Sequence, residues 1–345
     1  MNVGAAYVRL AAALGALAAG AVAVVTIALL LHRTPGPVPS ASAAPAAPPA
    51  SSTPAAPTAS GSLPNAIATP TSPGFPAPPA GAVVFSREDG ADAVGLAVLP
   101  RDGGLMLRAS VVGQSGSGVR GLAVRFRVEG AGSSKTATGA ACGAGCYEAR
   151  VAWHGRPERV LVRIGARSLA FEMPDVWPPR AAERLVARAA QVWRKLHTLV
   201  SHERLASDPQ HGVTTVWRFA APDRLSYNIV GGPSAVVIGN RRWDLVPGSR
   251  WQASPQEPLR MPVPLWTGVS YARVLGTERV RGHAAWRISF FDPQLPAWFT
   301  VLIDRATFRT LDVRMVATAH FMHDVYGPFD RPLAIVPPLS TGGKR

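Results

Sequence analysis

The chain has 345 residues, enough for two domains, and 47% of them are hydrophobic. Its 33 prolines and 33 glycines exclude an all-helical protein and favour many strands and turns beside a low-complexity segment. The net charge of +15 favours anionic partners. Because the chain contains neither an aromatic RNA-recognition signature nor a Cys/His finger, we predict no nucleic-acid partner. The charge then indicates a solvated basic surface or attraction to an anionic membrane.

The first predicted element is a membrane helix. Residues 10–31 carry no charged side chain and are long enough to span a hydrocarbon core of about 30 Å. A cleaved signal peptide usually has a shorter apolar region, of about 7–15 residues. We therefore predict an uncleaved anchor behind a short segment, 1–9. The protein would be a single-pass membrane protein whose bulk is extracytoplasmic, with the bilayer as its partner through residues 10–31.

Residues 32–84 form the predicted linker. No charged residue occurs from Thr34 to Val84, and fourteen prolines lie between Pro35 and Pro79. Such a composition cannot bury enough apolar area to offset chain entropy, which predicts a disordered Pro/Ala/Ser spacer with polyproline-II bias. Its reach is on the order of 100 Å at about 3.1 Å per extended residue.

Residues 85–173 alternate between apolar and polar positions. In the segment 122–129, the even positions are apolar and the odd positions are mostly charged. Six or seven such half-buried antiparallel strands predict an immunoglobulin-like β-sandwich. The segment 116–121 fits the pattern G-x-G-x-x-G, but an alternating strand follows it instead of a helix. We therefore interpret this segment as a hairpin turn and not as a dinucleotide site.

Two cysteines, Cys142 and Cys146, enclose a Gly-Ala-Gly segment. The two glycines give the backbone freedom to bring the sulfurs together, which predicts a disulfide in an oxidising compartment. A two-thiolate metal site is the alternative, but no further ligands are adjacent in sequence. The segments 121–126 and 142–147 resemble the small sandwich domains of the YtkA/CopC-like group. That resemblance implies a link to extracytoplasmic copper handling, although the His and Met ligands of the CopC type are not evident here.

Residues 174–340 form the second predicted region, followed by a short tail, 341–345. Apolar residues recur at three- and four-residue steps from Ala181 to Leu199, which predicts an amphipathic helix. Strands joined by short turns follow and predict an antiparallel meander that curls, with the helix on one face. The predicted strands are 213–219, 224–229, 236–238, 241–245, 272–280, 285–291, 298–304, 308–315 and 316–322.

The ordered segments of this second region resemble the LolA/LppX superfamily of lipoprotein and lipid carriers. Residues 217–227, 237–248, 273–290 and 301–315 carry the resemblance. It implies a half-barrel over a helix, with acyl chains of a lipid or acylated polypeptide held in an apolar cavity. No catalytic group or cofactor is implied, so we predict a non-enzymatic binding protein. The candidate cavity residues are the large aromatic side chains Trp217, Tyr227, Trp243, Trp251, Trp266, Trp286 and Trp298, although each could equally fill the core.

One further group of side chains lies close to the C-terminus. His320, Met322 and His323 are weak candidates for metal ligands, because imidazole and thioether groups suit copper. The alternative is an ordinary terminal strand. Two other functions therefore stay open, an accessory role in extracytoplasmic copper homeostasis and an ectodomain that senses envelope stress. The chain contains neither a G-x-S-x-G elbow nor an H-E-x-x-H motif, which leaves no hydrolase site to propose.

Overall fold

The structure is a computed structural model that describes residues 75–257, 259 and 264–338. These residues belong to one compact unit and form a mainly β fold of twenty strands and one helix. Within these ranges no helix is long and apolar enough to cross a bilayer. The predicted membrane helix at 10–31 and the tail 341–345 lie outside the described residues.

The predicted linker is too long at its C-terminal end. Phe75 lies 5.8 Å from the ring of Phe291 and 5.5 Å from the ring of Trp298. Ala82 is fully buried, and the first strand begins at Val83. The Ser110 hydroxyl also donates to the Pro76 carbonyl oxygen at 2.6 Å, so the folded part begins by residue 75.

The first region contains nine strands in two open antiparallel sheets. These strands are β1 (Val83–Asp89), β2 (Asp92–Arg101), β3 (Gly104–Val112), β4 (Val124–Gly130), β5 (Ser133–Thr138), β6 (Ala140–Gly143), β7 (Cys146–Ala152), β8 (Arg159–Ile164) and β9 (Arg167–Glu172). The sheet orders are β1-β2-β3-β7-β6 and β5-β4-β8-β9. The two sheets share one core that includes Leu96, Phe126 and Val162. The narrower assignment to an immunoglobulin-like sandwich stays a prediction.

The segment 116–121 begins in a tight reversal of the chain, as predicted, but the turn does not join two strands of one hairpin. The Gly113 N–H donates to the Ser117 carbonyl oxygen at 3.0 Å and an isolated antiparallel bridge joins Gly118 to Val112, after which the chain crosses from β3 to β4 in the other sheet. The glycines have a steric role here, because a Cβ on Gly118 would lie 2.2 Å from the Ala144 carbonyl oxygen. The loop therefore crosses between sheets at close backbone contact, and the strand that follows excludes the helix that a dinucleotide site requires.

The helix of the second region, α1 (Glu183–Trp193), is shorter than predicted. Its buried side chains, Val186, Ala189, Ala190 and Trp193, form the apolar stripe. Leu199 continues the helical spacing in sequence but is fully buried on a strand instead. The helix ends early because the residues after it pair with two neighbouring strands, and these long-range backbone hydrogen bonds outweigh the local helical pattern.

The second region contains one open antiparallel sheet of eleven strands. They are β10 (Thr198–Ala206), β11 (Gly212–Ala220), β12 (Arg224–Ile229), β13 (Ser234–Ile238), β14 (Arg241–Leu245), β15 (Gln252–Pro255), β16 (Ser270–Val280), β17 (His283–Asp292), β18 (Ala297–Asp304), β19 (Thr310–Ala317) and β20 (His320–Phe329). The order is β15-β14-β13-β12-β11-β10-β20-β19-β18-β17-β16. Strands β10–β15 form one meander and strands β16–β20 form another. The two meanders are joined where β10 pairs with β20.

The predicted final strand, 316–322, is wrong. β19 continues to Ala317, the chain turns at Thr318 and Ala319, and β20 begins at His320. Ala319 adopts a φ of 53°, the left-handed conformation of a tight turn. No glycine or proline marks this turn, so the end of β19 and the start of β20 were predicted as one strand.

The eleven-stranded sheet has two differently covered faces. On the helix-facing face, α1 packs over β16–β20 against Ile288, Phe290, Phe299 and Val301. On the sandwich-facing face, the β1-β2-β3 sheet packs against Phe291, Trp298 and Phe321. A Cβ on Gly95 of β2 would lie 2.4 Å from the Trp298 ring, so only glycine permits this approach.

Candidate functional site

Three aromatic side chains lie together on the helix-facing face, on neighbouring strands. Trp217 and Phe219 of β11 stack with ring centroids 6.2 Å apart, and Tyr227 of β12 lies 4.9 Å from Trp217. The register places Tyr227 directly opposite Trp217. Trp217 and Phe219 are each only partly buried. We name these three residues the aromatic group.

The polar neighbours of the aromatic group are fixed by hydrogen bonds. The Trp217 Nε1–H donates to Glu203 Oε2 at 2.7 Å. An Arg242 Nη2–H donates to the Tyr227 hydroxyl at 3.0 Å, and the same guanidinium pairs with Asp244 at 2.7 Å. The site therefore combines π surface with one carboxyl group on one side and one guanidinium on the other.

A buried carboxyl pair lies beside the aromatic group. Glu203 of β10 and Asp324 of β20 are directly opposite in the register and are 8% and 4% exposed. The Ser201 hydroxyl donates to Asp324 Oδ1 at 2.5 Å, and the Tyr326 hydroxyl donates to Asp324 Oδ2 at 2.8 Å. Two carboxyl groups therefore face one another in the apolar interior at the point where the two meanders join.

Burial dominates the protonation of this pair. Desolvation, followed by the charge of Asp324, raises the pKa of Glu203 to about 8, and the Trp217 hydrogen bond only partly opposes the rise. Desolvation also raises the pKa of Asp324, against the lowering effect of the Ser201 and Tyr326 hydroxyls. At neutral pH Glu203 is therefore mainly protonated and can donate a hydrogen bond as well as accept one.

The aromatic group belongs to the half of the sheet that the helix leaves open. The core beneath α1 draws its buried residues from β10 and β16–β20. From β11–β15 only Phe219 contacts that core, and only as a partly buried residue. The fold thus places partly exposed aromatic rings at the margin of a packed apolar core, where an additional apolar molecule could extend it.

The remaining predicted aromatic residues do not form one site. Trp266 lies in the core beneath the helix, 5.6 Å from Phe290, and Trp286 lies 5.6 Å from Phe308. Trp243 lies opposite Val236, a position that directs it to the other face from Tyr227. Trp298 packs against the sandwich, and Trp251 lies just before β15.

A cavity of about 660 Å³ lies on the sandwich-facing face of the sheet. Its walls come from the sandwich strands β1 and β9 and from β10 and β16–β20 of the sheet. Aromatic side chains contribute, but Arg, Glu, Asp and His side chains are prominent among the lining residues. The sequence predicted an apolar cavity on the side of the sheet that holds the helix. The observed cavity is lined by charged side chains and lies on the opposite face.

The predicted metal ligands have separate environments. Met322 is buried in the core beneath the helix, and His320 lies 3.0 Å from the Thr318 carbonyl oxygen. His323 Nε2 lies 2.8 Å from Asp312 Oδ2 on the opposite face. Across the described ranges no group of three or more His, Cys, Asp or Glu side chains is arranged to hold a metal ion. Cys142 and Cys146 are joined as a disulfide with Cα atoms 5.0 Å apart.

Sequence reasoning missed the carboxyl pair entirely. Ser201 and Asp324, which share a hydrogen bond, are 123 positions apart in the chain. Glu203 lies only four residues beyond the predicted helix, in a segment for which we predicted no strand. The only signal in the sequence is an acidic residue at an inward-facing position of a strand. Recognising that signal requires the boundaries of the strand and its register.

No protein-family model matches the chain, and no curated protein matches its sequence. Solved structures similar to it include LprF from Mycobacterium bovis, with 10% identity over 46% of this chain and 96% of that one, at a TM-score of 0.35. Lipoprotein LppX from Mycobacterium tuberculosis shows 11% identity over 44% and 98%, at 0.32. A LolA superfamily protein from Nitrosomonas europaea shows 11% over 45% and 96%, at 0.21. These low values assign no function to the chain, and the YtkA/CopC-like resemblance finds no support among them.

Proposed function

We propose that the protein binds the apolar chain of a lipid or acylated polypeptide, without catalysis, at the aromatic group on the helix-facing face. The observation that carries this proposal is the partial exposure of Trp217 and Phe219 beside a packed apolar core. Aromatic rings favour contact with apolar ligands because each buries a large area with little loss of side-chain freedom. An acyl chain laid across these rings would remove them from water.

The polar groups at the same site are suited to the polar end of such a ligand. Arg242 contacts Tyr227 on one side, and Glu203 contacts Trp217 on the other. A mainly protonated Glu203 adds no full charge to the apolar site at neutral pH, and it can hydrogen-bond a carbonyl or hydroxyl group. The ligand class that fits is therefore an amphiphile with a long apolar part and a hydrogen-bonding end.

Photocrosslinking of the full chain in membranes tests this function. A fatty acid that carries a diazirine is added, irradiated, and located by peptide mass spectrometry. We expect labelled peptides within 213–229, with labelling reduced at least about tenfold in Trp217→Ala.

Trp243→Ala provides the matched control, since it removes the same side chain from the opposite face of the same sheet. Labelling of 213–229 should be unchanged in this variant. Equal labelling in Trp217→Ala and in the wild type, or no labelling of this segment at all, would reject the proposed function.

The proposal includes a membrane tether. Residues 10–31 would anchor the chain, and the spacer would hold the folded part outside the cytoplasm and near one membrane. Cell fractionation of the full chain and of a chain lacking residues 1–33 tests this arrangement. We expect the full chain in the membrane fraction, accessible to protease only from the extracytoplasmic side, and the shortened chain in the soluble fraction.

A further inference from the structure

A row of basic side chains crosses the floor of the charged cavity. Arg204 of β10 lies directly opposite His323 of β20, and His323 lies directly opposite Arg314 of β19. All three residues line the cavity. The register therefore places two arginines and a histidine on three consecutive strands of one face, and we name these residues the basic row.

The two arginines of this row make no close ion pair within the described part of the chain. His323 pairs with Asp312, but in the described part of the chain no carboxylate lies within 4.0 Å of the Arg204 or Arg314 guanidinium. Like charges at neighbouring positions across a sheet are unfavourable. An anion bound in the cavity would lower the repulsion between them.

The row continues across the sheet as hydroxyl groups. Thr300 of β18 lies opposite Arg314, and Ser289 of β17 lies opposite Thr300. The Ser289 hydroxyl is buried and has no hydrogen-bond partner among the described residues. Arg287 lies two residues away on the same face; it lines the cavity and has a buried Nε without a partner among the described residues. Buried donors without partners are costly, so two of them beside one cavity indicate a ligand with acceptor oxygens.

We propose that this cavity binds a ligand with a phosphate-type oxyanion, held by Arg204, Arg314 and Arg287. Guanidinium groups match the tetrahedral oxyanion through paired N–H donors, and hydroxyl groups such as that of Thr300 complete the contacts. The cavity, at about 660 Å³, exceeds the volume of the anion alone, and Phe85 and Phe171 line it too. The space and the apolar wall suit a phosphate attached to a small organic body, such as a phospholipid headgroup.

The acidic residues of the wall limit what can bind. Glu88, Glu172 and Glu278 line the cavity together with the arginines, and all three are exposed. They cancel the long-range attraction that a purely basic cleft would exert on a polyanion. Recognition therefore depends on directed hydrogen bonds to one anionic group, and the lining offers a nucleic-acid backbone no net attraction.

Calorimetric titration of the full chain in a non-ionic detergent with inorganic phosphate tests the site. We expect saturable binding in the wild type that weakens at least about tenfold in Arg204→Gln and in Arg314→Gln. Arg125→Gln is the matched control, because Arg125 is an exposed strand arginine outside the cavity. Native mass spectrometry of the same samples then identifies any retained phospholipid.

The outcomes separate the sources of the anion. Binding of inorganic phosphate without a phospholipid adduct assigns the site to a free phosphate compound, whereas an adduct lost in both arginine variants assigns it to a lipid headgroup. Trp217→Ala should retain either signal, which separates this site from the aromatic group. The inference is overturned if neither phosphate nor phospholipid binds, or if the arginine variants bind as well as Arg125→Gln.

Discussion

The two faces of the eleven-stranded sheet differ in what covers them and in what they expose. The helix-facing face packs α1 over one half and presents aromatic rings on the other. The sandwich-facing face packs against β1-β2-β3 near Trp298, and then opens into a cavity lined by Arg204 and Arg314. Because side chains alternate along each strand, one set of strands supports both surfaces.

A single sheet thus separates an apolar surface from a charged surface, and the two surfaces are only one layer of strands apart. Neighbouring residues on β18 illustrate the separation, since Val301 lies in the core beneath the helix and Thr300 lines the charged cavity. A substitution on one face should therefore leave the other intact wherever the backbone is retained. Substitutions on each face test this difference between the two surfaces.

Trp298→Ala should destabilise the protein most. The side chain is 1% exposed and fills the contact between β18 and Gly95 of the sandwich. Loss of a fully buried tryptophan costs about 3–5 kcal/mol, since a cavity remains between two sheets that cannot collapse onto it. Denaturant unfolding of the two chains measures the difference in the free energy of unfolding.

Trp243→Ala is the control for that experiment. Trp243 lies on the same face but is only partly buried, at the end of the sheet beyond the sandwich-covered strands. We expect a cost of about 1 kcal/mol or less. Equal costs for the two substitutions would show that the sandwich does not contribute to the stability of this face.

Glu203→Gln should change the pH dependence of stability. The pKa of Glu203 is raised by burial to about 8, so the folded state binds a proton that the unfolded state releases near its ordinary value of 4.5. Since the folded state binds more protons, the free energy of unfolding falls as pH rises from about 4.5 to about 8. A difference of one in pKa corresponds to about 1.4 kcal/mol, which makes the decline on the order of a few kcal/mol.

The glutamine variant lacks this titration and should lose much less stability between pH 5 and pH 8. Thermal unfolding across that range, with Glu278→Gln as an exposed control that keeps the wild-type slope, measures the effect. Parallel profiles for wild type and Glu203→Gln would mean that the carboxyl pair is not buried in solution.

Arg314→Gln should give the smallest effect in the absence of ligand. Arg314 is exposed and makes no ion pair with the described residues, so we expect a change within about 0.5 kcal/mol. Phosphate should then stabilise the wild type and not the variant, because only the folded wild type binds it. A phosphate-dependent rise in the unfolding temperature of both chains would contradict the assignment of the anion to the basic row.

Much of the strand pattern could be predicted, because alternation marks strands with one buried face. The segment around Val124–Gly130 was found in this way. β2 was harder to read, since it is buried on both faces, by the sandwich core and by the large sheet. Its sequence, Asp92–Arg101, is apolar at consecutive positions and shows no period of two.

The sites were less predictable than the strands. Trp217 and Tyr227 were named as candidates, and the structure places them together, but Trp243 was assigned to the same surface although its register directs it to the opposite one. The basic row depends on the pairing of β10 with β20 and of β20 with β19. Single-sequence reasoning does not supply long-range register, and without it Arg204 and Arg314 are two ordinary surface residues.

The pairing of β10 with β20 also orders the events of folding. β10 leaves the ribosome before the other strands of this sheet and β20 after them, so the centre of the sheet closes only once β20 has emerged. Until then the Glu203 carboxyl stays hydrated and ionised, and it must take up a proton when β10 pairs with β20. We expect folding to be slow, as for other long-range strand pairings, and to be slower at alkaline pH, where that proton is scarce.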